Sequence, residues 1–337
     1  MKYIVFGLGS MGKRRIRCLQ ALGARPEEII GFDLRADRRE EATRLYGVTA
    51  IDNLEAIRWP EVKALVVSTP PDYHHIYMKL AIEKGRPAFV EASVQLDGLD
   101  EIDAAAKASG VLIAPSCTLR FHPAVKDMKR IIQSGRYGRV TSFTHYSGQY
   151  LPDWHPWENV RDFYVSKKET GACREIIPFE LTWLRDLVGL PTDIVGLRGK
   201  TMDVGADIDD TYVAAVKCPT SYGTIMVDVV ARYAMRNLIV NMERGQLQWR
   251  WDKPEIWLFE ADDKRSVVYG QRETHAQAGY NRNIAEEMYI DEIRAYLAAV
   301  DGTAPWPNTI QDDKAVLSLL YHMEKVSDEV QGAMVGA

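Results

Sequence analysis

The chain contains 337 residues, which is enough for two domains of ordinary size. Hydrophobic residues make up 46% and charged residues 26% of the sequence, a composition typical of globular proteins and not of fibrous or disordered ones. The formal net charge of -5, without any long basic block, argues against a protein that works by neutralising nucleic-acid phosphates.

Apolar runs and cysteines exclude further classes. No apolar run approaches the roughly 20 residues needed to cross a bilayer, and the N-terminus shows no secretory signal pattern. The four cysteines, Cys18, Cys117, Cys173 and Cys218, are widely spaced and form no C-x-x-C pair, which argues against a disulfide framework or a zinc site. We therefore expect a cytoplasmic protein with no membrane or nucleic-acid partner and no bound metal.

Short apolar runs alternate with helical patterns over the first third of the chain. The predicted strands are residues 3–7, 29–33, 64–68, 88–91 and 111–115, and the predicted helices are residues 12–22, 37–46, 75–84 and 97–109. Strands separated by helices in this way indicate right-handed β-α-β units. We predict an α/β domain with a doubly wound parallel sheet over residues 1–118.

The pattern changes after about residue 119. The predicted helices are residues 122–134, 172–187, 285–300 and 311–327, and the strand-like runs are residues 140–150, 194–200, 209–218, 223–232, 237–242, 246–251 and 255–259. Successive strands without helices between them indicate antiparallel or mixed pairing. We predict a C-terminal α+β domain with a large mixed or antiparallel sheet over residues 119–337.

A glycine motif joins the first predicted strand to the first predicted helix. Gly7, Gly9 and Gly12 match G-x-G-x-x-G. In this motif the first glycine allows a tight turn, the second lets the backbone approach a pyrophosphate, and the third lets the helix pack closely on the strand. The motif predicts a dinucleotide-binding Rossmann domain, in which Ser10 and Met11 of the same loop also contact the cofactor.

An acidic residue supports the dinucleotide reading. Asp33 ends the second predicted strand about 20 residues after Gly12, where a carboxylate binds the 2′-hydroxyl of an adenosine ribose. This favours NAD as the cofactor, with Leu34 beside it. Arg35 and Arg38 follow closely and would suit a 2′-phosphate, so NADP remains open.

Several longer segments resemble one oxidoreductase family. They are residues 67–74 (VSTPPDYH), 85–91 (GRPAFVE) and 120–123 (RFHP), together with the turn between Gly135 and Gly138. These residues resemble the glucose–fructose oxidoreductase, inositol dehydrogenase and rhizopine-catabolism (Gfo/Idh/MocA) family over essentially the whole chain. The resemblance implies a nicotinamide cofactor, a sugar, inositol or nucleotide-sugar substrate, and a homodimer or homotetramer formed through an open C-terminal sheet.

The resemblance also implies a set of cofactor contacts at the ends of the central strands. They are Ser68, Thr69, Pro70, His74, Glu91, Ala92 and Ser93. At two places, however, the chain departs from the family pattern. Ala92 stands where the family has the Lys of Glu-Lys-Pro, and Phe179 stands where it has a His, four residues after an Asp that is here Glu175. Neither Ala nor Phe transfers a proton.

A polar and aromatic segment over residues 149–175 supplies other candidates. We expect His155, Glu175 and Lys167, with Lys168 as a further candidate, to handle the proton. The expected substrate contacts are Arg120, Gln149, Tyr150, Trp157, Arg161, Tyr164 and Arg174. Residues 147–154 (SGQYLPDW) resemble relatives in bacterial surface-sugar pathways, which favours a surface-polysaccharide or nonulosonic-acid-type sugar.

The sequence thus predicts an NAD(P)-dependent oxidoreductase with an atypical active site, acting on a sugar or nucleotide-sugar derivative. Two alternatives remain open because Ala92 and Phe179 replace the family's proton-transfer residues. One is an enzyme with tightly bound NAD that performs transient redox chemistry, giving epimerisation, elimination or rearrangement. The other is a non-catalytic protein that senses a cofactor or a sugar.

Overall fold

A computed structural model of the chain describes residues 1–156, 158–271 and 286–335. The chain divides into two compact units. The first consists of Met1–Thr118 and Glu287–Lys314, and the second of Leu119–Glu286 and Ala315–Ala337. The boundary between the two units at residues 118 and 119 coincides with the predicted domain boundary. The return of residues 287–314 to the first unit is a difference from the predicted division.

The first unit contains a six-stranded parallel sheet. Its strands are β1 (Lys2–Phe6), β2 (Ile29–Phe32), β3 (Thr49–Ile51), β4 (Val62–Val67), β5 (Ala88–Val90) and β6 (Ile113–Pro115), and they lie in the order β3-β2-β1-β4-β5-β6. Helices α1 (Ser10–Ala21), α2 (Ala36–Tyr46), α3 (His74–Lys84) and α4 (Leu99–Ser109) connect them. Ile4, Val5 and Phe6 are fully buried, as expected for a parallel strand that is covered on both faces. The prediction of a doubly wound α/β sheet is confirmed.

The strand register brings the candidate cofactor residues to one edge of this sheet. Phe6 pairs with Phe32 on one side and with Val67 on the other, and Val67 pairs with Val90. The residues that follow these strand ends, Gly7, Asp33, Ser68 and Glu91, are therefore neighbours at the carboxyl edge. In sheets of this kind, ligands bind at that edge, where the strand order reverses.

The returning C-terminal segment packs on the first unit through aromatic residues. Helix α7 (Glu286–Val300) places Tyr296 against Phe89, and the Tyr296 hydroxyl donates to the Leu65 carbonyl at 3.0 Å. Trp306 also packs edge-on against Phe89 and donates its indole N–H to the Pro115 carbonyl at 3.1 Å. This segment was predicted to lie in the second domain, since its partners in the first unit lie far away along the chain.

The second unit is built on an eight-stranded mixed sheet, as predicted. Its strands are β7 (Val140–Tyr150), β8 (Asp193–Gly199), β9 (Thr211–Lys217), β10 (Tyr222–Asp228), β11 (Val230–Met242), β12 (Gly245–Arg250), β13 (Glu255–Glu260) and β14 (Arg265–Gly270), in the order β14-β13-β12-β11-β7-β10-β9-β8. Only β7 and β10 pair in parallel within it. The helices are α5 (Pro123–Gln133), α6 (Ala172–Val188) and α8 (Ile310–Val335), whose first residues belong to the first unit.

Two strand boundaries differ from the sequence prediction. The runs predicted at residues 223–232 and 237–242 are divided differently, as β10 and the longer β11. The division comes at Asp228, whose Oδ1 accepts hydrogen bonds from the Val230 and Ala231 amides at 3.1 and 2.9 Å and turns the chain. β3 and β14 were not predicted.

Candidate active site

The glycine loop between β1 and α1 is shaped by close backbone contacts. Gly7 has a φ of +84°, and a Cβ placed there would lie 2.6 Å from the Ser68 carbonyl oxygen. A Cβ on Gly12 would overlap the Gly7 carbonyl. A Cβ on Gly9, in contrast, would meet only Arg38 Nη1, at an ordinary 3.5 Å. The fold therefore requires Gly7 and Gly12, whereas Gly9 leaves room for a ligand that approaches the backbone closely.

Asp33 is held in place by the same loop. Its Oδ2 accepts a hydrogen bond from the Leu8 amide at 2.8 Å, and its Oδ1 accepts one from the Arg35 amide at 2.9 Å. The Arg35 guanidinium instead binds Asp37 through two hydrogen bonds, which lower the pKa of Asp37 to about 2. Arg38 Nη1 lies 3.9 Å from Asp33 Oδ2, so Arg38 is the arginine whose guanidinium lies beside this carboxylate.

Three buried polar atoms after β4 find no hydrogen-bond partner among the described residues: Ser68 Oγ, Thr69 Oγ1 and His74 Nδ1. The His74 ring is fully buried, and burial lowers its pKa from 6.5 to about 4, so the ring is neutral at pH 7. Its Nε2 donates to the Thr69 carbonyl at 2.9 Å, which leaves Nδ1 as an acceptor. Buried polar groups are normally satisfied, so these atoms, together with the space at Gly9, fit a bound dinucleotide.

Glu91, Ala92 and Ser93 follow β5 at the same edge. Glu91 accepts two hydrogen bonds from Arg15, and the Ser93 hydroxyl accepts one from the Gln95 amide at 3.1 Å. Sequence reasoning predicted Glu91 here but missed Arg15. No local motif marks Arg15, because its partners are distant along the chain. Pro70 lies directly before the helical turn Pro71–Tyr73 that leads into α3.

In the second unit, three of the predicted residues form an acid and aromatic cluster. Glu175 lies in the first turn of α6, and its Oε2 accepts a hydrogen bond from the Tyr164 hydroxyl at 2.9 Å. Tyr164 packs edge-on against Phe163. The His155 ring packs against Phe163 too, with 4.9 Å between the ring centroids. His155 Nδ1 lies 3.4 Å from a Glu158 carboxylate oxygen. We call His155, Phe163, Tyr164 and Glu175 the α6 cluster.

Helix α6 presents Glu175 and Phe179 on the same side. They are four residues apart, one turn of a helix, and both are half-buried while the residues between them are buried. Phe179 thus occupies the neighbouring place on the helix face that carries Glu175, and contributes only an apolar surface there. A proton-transfer group close to Glu175 therefore has to come from outside the helix, as Tyr164 does.

Two of the predicted substrate contacts form internal ion pairs. Arg174 binds both carboxylate oxygens of Glu324 at 2.8 and 3.0 Å and lies over the Tyr321 ring. Arg120 binds Asp186 at 3.0 Å and donates to the Thr182 carbonyl at 3.1 Å. These contacts account for both guanidinium groups within the second unit, so neither is assigned to a substrate.

The remaining candidates lie on the surface or near it. Arg161 and Lys167 are exposed, and Arg161 Nε donates to the Gly205 carbonyl at 3.1 Å. Gln149 and Tyr150 are half-buried at the end of β7, with the Arg232 guanidinium 3.7 Å from the Tyr150 ring centroid. Trp157 lies outside the described residues.

Over the ranges that the structure describes, no group of His, Cys, Asp and Glu side chains is arranged to hold a metal ion. Within the same ranges, no helix combines the length and apolar character needed to cross a membrane. All four cysteines are buried free thiols.

Comparisons with known proteins identify the family of both domains. Residues 1–116 match the family model "Oxidoreductase family, NAD-binding Rossmann fold", and residues 125–248 match "GFO/IDH/MocA C-terminal domain". The chain is 29% identical over 235 residues to the uncharacterized oxidoreductase YhhX of Escherichia coli strain K12, covering 64% of each chain. It is 27% identical over 229 residues to an inositol 2-dehydrogenase of Mycolicibacterium smegmatis, covering 65% of this chain and 63% of that one. The matches span a little under two thirds of the length of these relatives.

Solved structures share the fold over nearly the whole length of the chain. A levoglucosan dehydrogenase in complex with NADH and levoglucosan superposes with a TM-score of 0.81 at 15% identity, covering 98% of this chain and 97% of that one. A UDP-N-acetylglucosamine 3-dehydrogenase, GnnA from Acidithiobacillus ferrooxidans, superposes with a TM-score of 0.77 at 15% identity, covering 97% of each chain. At these identities the likeness shows the fold. The two family models establish that the chain belongs to the Gfo/Idh/MocA family, with the family's NAD-binding Rossmann fold in residues 1–116.

Proposed function

We propose that the protein is an NAD-dependent oxidoreductase that acts on a hydroxyl group of a sugar or nucleotide-sugar derivative. The observation that carries the proposal is the carboxyl edge of the first sheet, where Gly9 leaves space and Ser68, Thr69 and His74 present unpartnered buried atoms. When bound, the nicotinamide accepts or donates a hydride. The chain has to bind the cofactor, orient the substrate and move one proton.

Asp33 and the glycine loop are the residues that would bind the adenosine ribose and the pyrophosphate. The carboxylate suits a ribose 2′-hydroxyl and so supports NAD, while Arg38 beside it is the residue that would accept a 2′-phosphate. Of the two arginines that keep NADP open, Arg38 is thus the better placed, because Arg35 is paired with Asp37.

We assign the transfer of the proton from the substrate hydroxyl to the α6 cluster. Tyr164 donates to Glu175, so a substrate hydroxyl that donates to the Tyr164 oxygen could pass its proton on as the phenol proton moves to the Glu175 carboxylate. The phenol oxygen gains one proton and loses one, and Glu175 ends protonated. His155, packed on Phe163, is the second candidate base of the cluster. Exposed Lys167 is a third.

The sugar class rests on the relatives and on the residue types. Inositol, levoglucosan and UDP-N-acetylglucosamine dehydrogenases are among the similar proteins, and each acts on a polyhydroxylated ring. Half-buried Gln149 and Tyr150, with exposed Arg161, provide the amide, aromatic and cationic groups that such rings and their anionic substituents need. We extend the proposal to a bacterial surface-polysaccharide or nonulosonic-acid-type sugar on the likeness of residues 147–154.

The open face of the second sheet supports a homodimer or homotetramer. One row of side chains crosses all eight strands in register: Val195, Ala215, Thr224, Thr144, Ile239, Gln248, Trp257 and Val268. Val195 and Val268 in this row are 48% and 53% exposed, and nearby Leu197 is 50% exposed. Exposed apolar side chains spread among Thr and Gln over one face of a sheet are compatible with a protein interface. The four free thiols suit a reducing, cytoplasmic location.

The test is direct binding followed by turnover. Calorimetry of the purified protein with NAD+, NADH and the two NADP forms should show saturable binding with NAD preferred, and a panel of sugars, inositols and nucleotide sugars should then reduce NAD+. Absence of any nicotinamide binding would refute the proposal. Binding without net turnover would instead favour transient redox with retained NAD, which the Ala92 and Phe179 positions make the leading alternative, or a sensing role.

A further inference from the structure

A buried charge cluster lies within the first unit and joins Glu91, a predicted cofactor contact, to two residues that have no role so far, Arg15 and Glu292. Arg15 donates to the Glu91 carboxylate through Nε at 2.6 Å and Nη2 at 3.0 Å, and its Nη2 lies 2.8 Å from Glu292 Oε2. The side chains of Arg15 and Glu292 are completely buried, and that of Glu91 is 12% exposed. We call these three residues the Arg15 cluster.

Aromatic rings enclose the guanidinium. Arg15 Cζ lies 4.5 Å from the Phe89 ring centroid and 5.1 Å from that of Tyr289. A charge removed from water costs several kcal/mol unless strong hydrogen bonds and opposite charges replace the solvent. In this cluster the Glu91 and Glu292 carboxylates replace the solvent around the Arg15 guanidinium. The planar guanidinium of Arg is suited to bidentate binding of a carboxylate between two rings. The arrangement is therefore specific to Arg in its geometry.

The cluster joins four segments of the unit. Arg15 is on α1, which begins in the glycine loop, and Glu91 directly follows β5. Glu292, on α7, accepts hydrogen bonds from the Ser116 hydroxyl at 2.9 Å, the Cys117 amide at 2.7 Å and the Thr118 hydroxyl at 2.7 Å, all in the loop after β6. The ends of β5 and β6 are thus fixed to α1 by buried charge-assisted hydrogen bonds.

The position of β5 and β6 in the sheet indicates which half of the cofactor lies near the Arg15 cluster. In the strand order β3-β2-β1-β4-β5-β6, β2 with Asp33 lies on one side of β1, and β5 and β6 lie on the other. A dinucleotide crosses such a sheet at the point where the order reverses. With the adenosine ribose at Asp33, the nicotinamide half falls on the side of β5 and β6.

We propose that Arg15 is a positioning residue that holds Glu91 and the following Ala92 and Ser93 in the geometry needed by the nicotinamide half of the cofactor. The inference rests on the NAD-binding role and goes beyond it by assigning a function to Arg15 and Glu292. It separates the two halves of the site: the glycine loop and Asp33 serve adenosine and pyrophosphate, and the Arg15 cluster serves the nicotinamide end.

The experiment compares NAD+ with ADP-ribose, which keeps the adenosine, the pyrophosphate and the second ribose but lacks the nicotinamide. In calorimetry, Arg15→Met should weaken NAD+ binding about tenfold or more, the effect of one lost charge-assisted hydrogen bond, with ADP-ribose binding changed less than about twofold. Arg15→Lys should recover part of the loss. Lys13→Met is the matched control, because it removes the partly exposed Lys13–Glu41 ion pair from the same helix and should leave both affinities unchanged.

Parallel loss of both ligands by a folded Arg15→Met would mean that Arg15 only supports the fold, and would overturn the proposal. Unchanged NAD+ binding would overturn it as well. If Arg15→Met fails to fold, Glu91→Gln decides, because the partly exposed Glu91 can lose its charge at smaller cost to folding: selective loss of NAD+ supports the proposal and wild-type affinity overturns it. Failure of the wild-type protein to bind either ligand would instead refute the proposed function itself.

Discussion

At the scale of single residues, the proton-transfer assignment depends on one hydrogen bond. Tyr164 and Glu175 lie on different segments, and the 2.9 Å bond between them gives Glu175 a proton-carrying neighbour that α6 itself lacks. Phe179, one turn further along the helix, has no such capacity. The pair can therefore be tested by changes that remove a proton-transfer function while keeping the side-chain volume.

Glu175→Gln and Tyr164→Phe should each lower kcat about 100-fold or more, the usual range for loss of an acid–base group. NAD+ affinity should stay within about twofold of wild type, since neither side chain belongs to the first unit, which holds the proposed NAD-binding residues. Steady-state kinetics with the best substrate of the panel and calorimetry with NAD+ measure the two effects. Glu169→Gln, an exposed carboxylate near the same segment, is the control. Wild-type kcat in both variants would remove the α6 cluster from the mechanism.

The fully buried His74 and the half-buried His122 contribute to the pH dependence of stability. Burial lowers the pKa of His74 in the first unit and of His122 in the second from 6.5 to about 4. Because the folded protein binds these protons less readily than the unfolded chain, their stabilising effect is present above pH 6.5 and is lost as the pH falls toward 4. The slope for each group approaches about 1.4 kcal/mol per pH unit.

Denaturant titrations across this pH window should therefore give a free energy of unfolding that declines with acidity. His74→Gln should make the decline shallower by about one proton's contribution. An equal decline in His74→Gln and wild type would show that His74 takes up its proton without unfolding.

At the scale of elements, the glycines of the loop between β1 and α1 differ in whether the fold or the ligand requires them. Gly9→Ala should leave the thermal midpoint near that of wild type, because the new Cβ meets only Arg38 at 3.5 Å, but it should weaken NAD+ at least about tenfold by filling the space for the pyrophosphate. Gly12→Ala should destabilise the unit, since its Cβ overlaps the Gly7 carbonyl. Thermal unfolding and calorimetry separate the two. Normal NAD+ binding by Gly9→Ala would contradict the assigned position of the pyrophosphate.

The elements also show how far sequence reasoning extends. Local signals were enough for the glycine loop and for Asp33, because strand, turn and helix follow each other within about 30 residues. They were not enough for β3, which is only three residues long, or for the Arg15–Glu292 contact, which joins the first helix to α7. The same limit applied to Arg120 and Arg174: their charges were visible in the sequence, but their partners Asp186 and Glu324 were not.

At the scale of the whole molecule, the open sheet predicts self-association. Leu197→Asp combined with Val213→Asp places two charges on neighbouring strands, where the residues pair directly and are 50% and 46% exposed. If this face forms the subunit interface, light scattering should show the wild-type oligomer reduced to smaller species, because burial of unpaired carboxylates is strongly unfavourable. The control is the double variant Glu27→Gln and Arg58→Gln, which changes two exposed residues of the first unit. An unchanged mass for the aspartate variant would place the interface elsewhere, or exclude one.

The discontinuous first unit has a consequence for synthesis of the chain. Its parallel sheet is complete once Pro115 has left the ribosome, yet Glu292, Tyr296 and Trp306, which cover β5 and β6, are translated much later. Until then the nascent unit lacks the carboxylate that fixes the loop after β6 and two of the rings that enclose Phe89. Most of the second unit is synthesised in the interval, so the first unit, although its sheet is encoded first, cannot complete the packing on β5 and β6 until α7 and Trp306 have been translated.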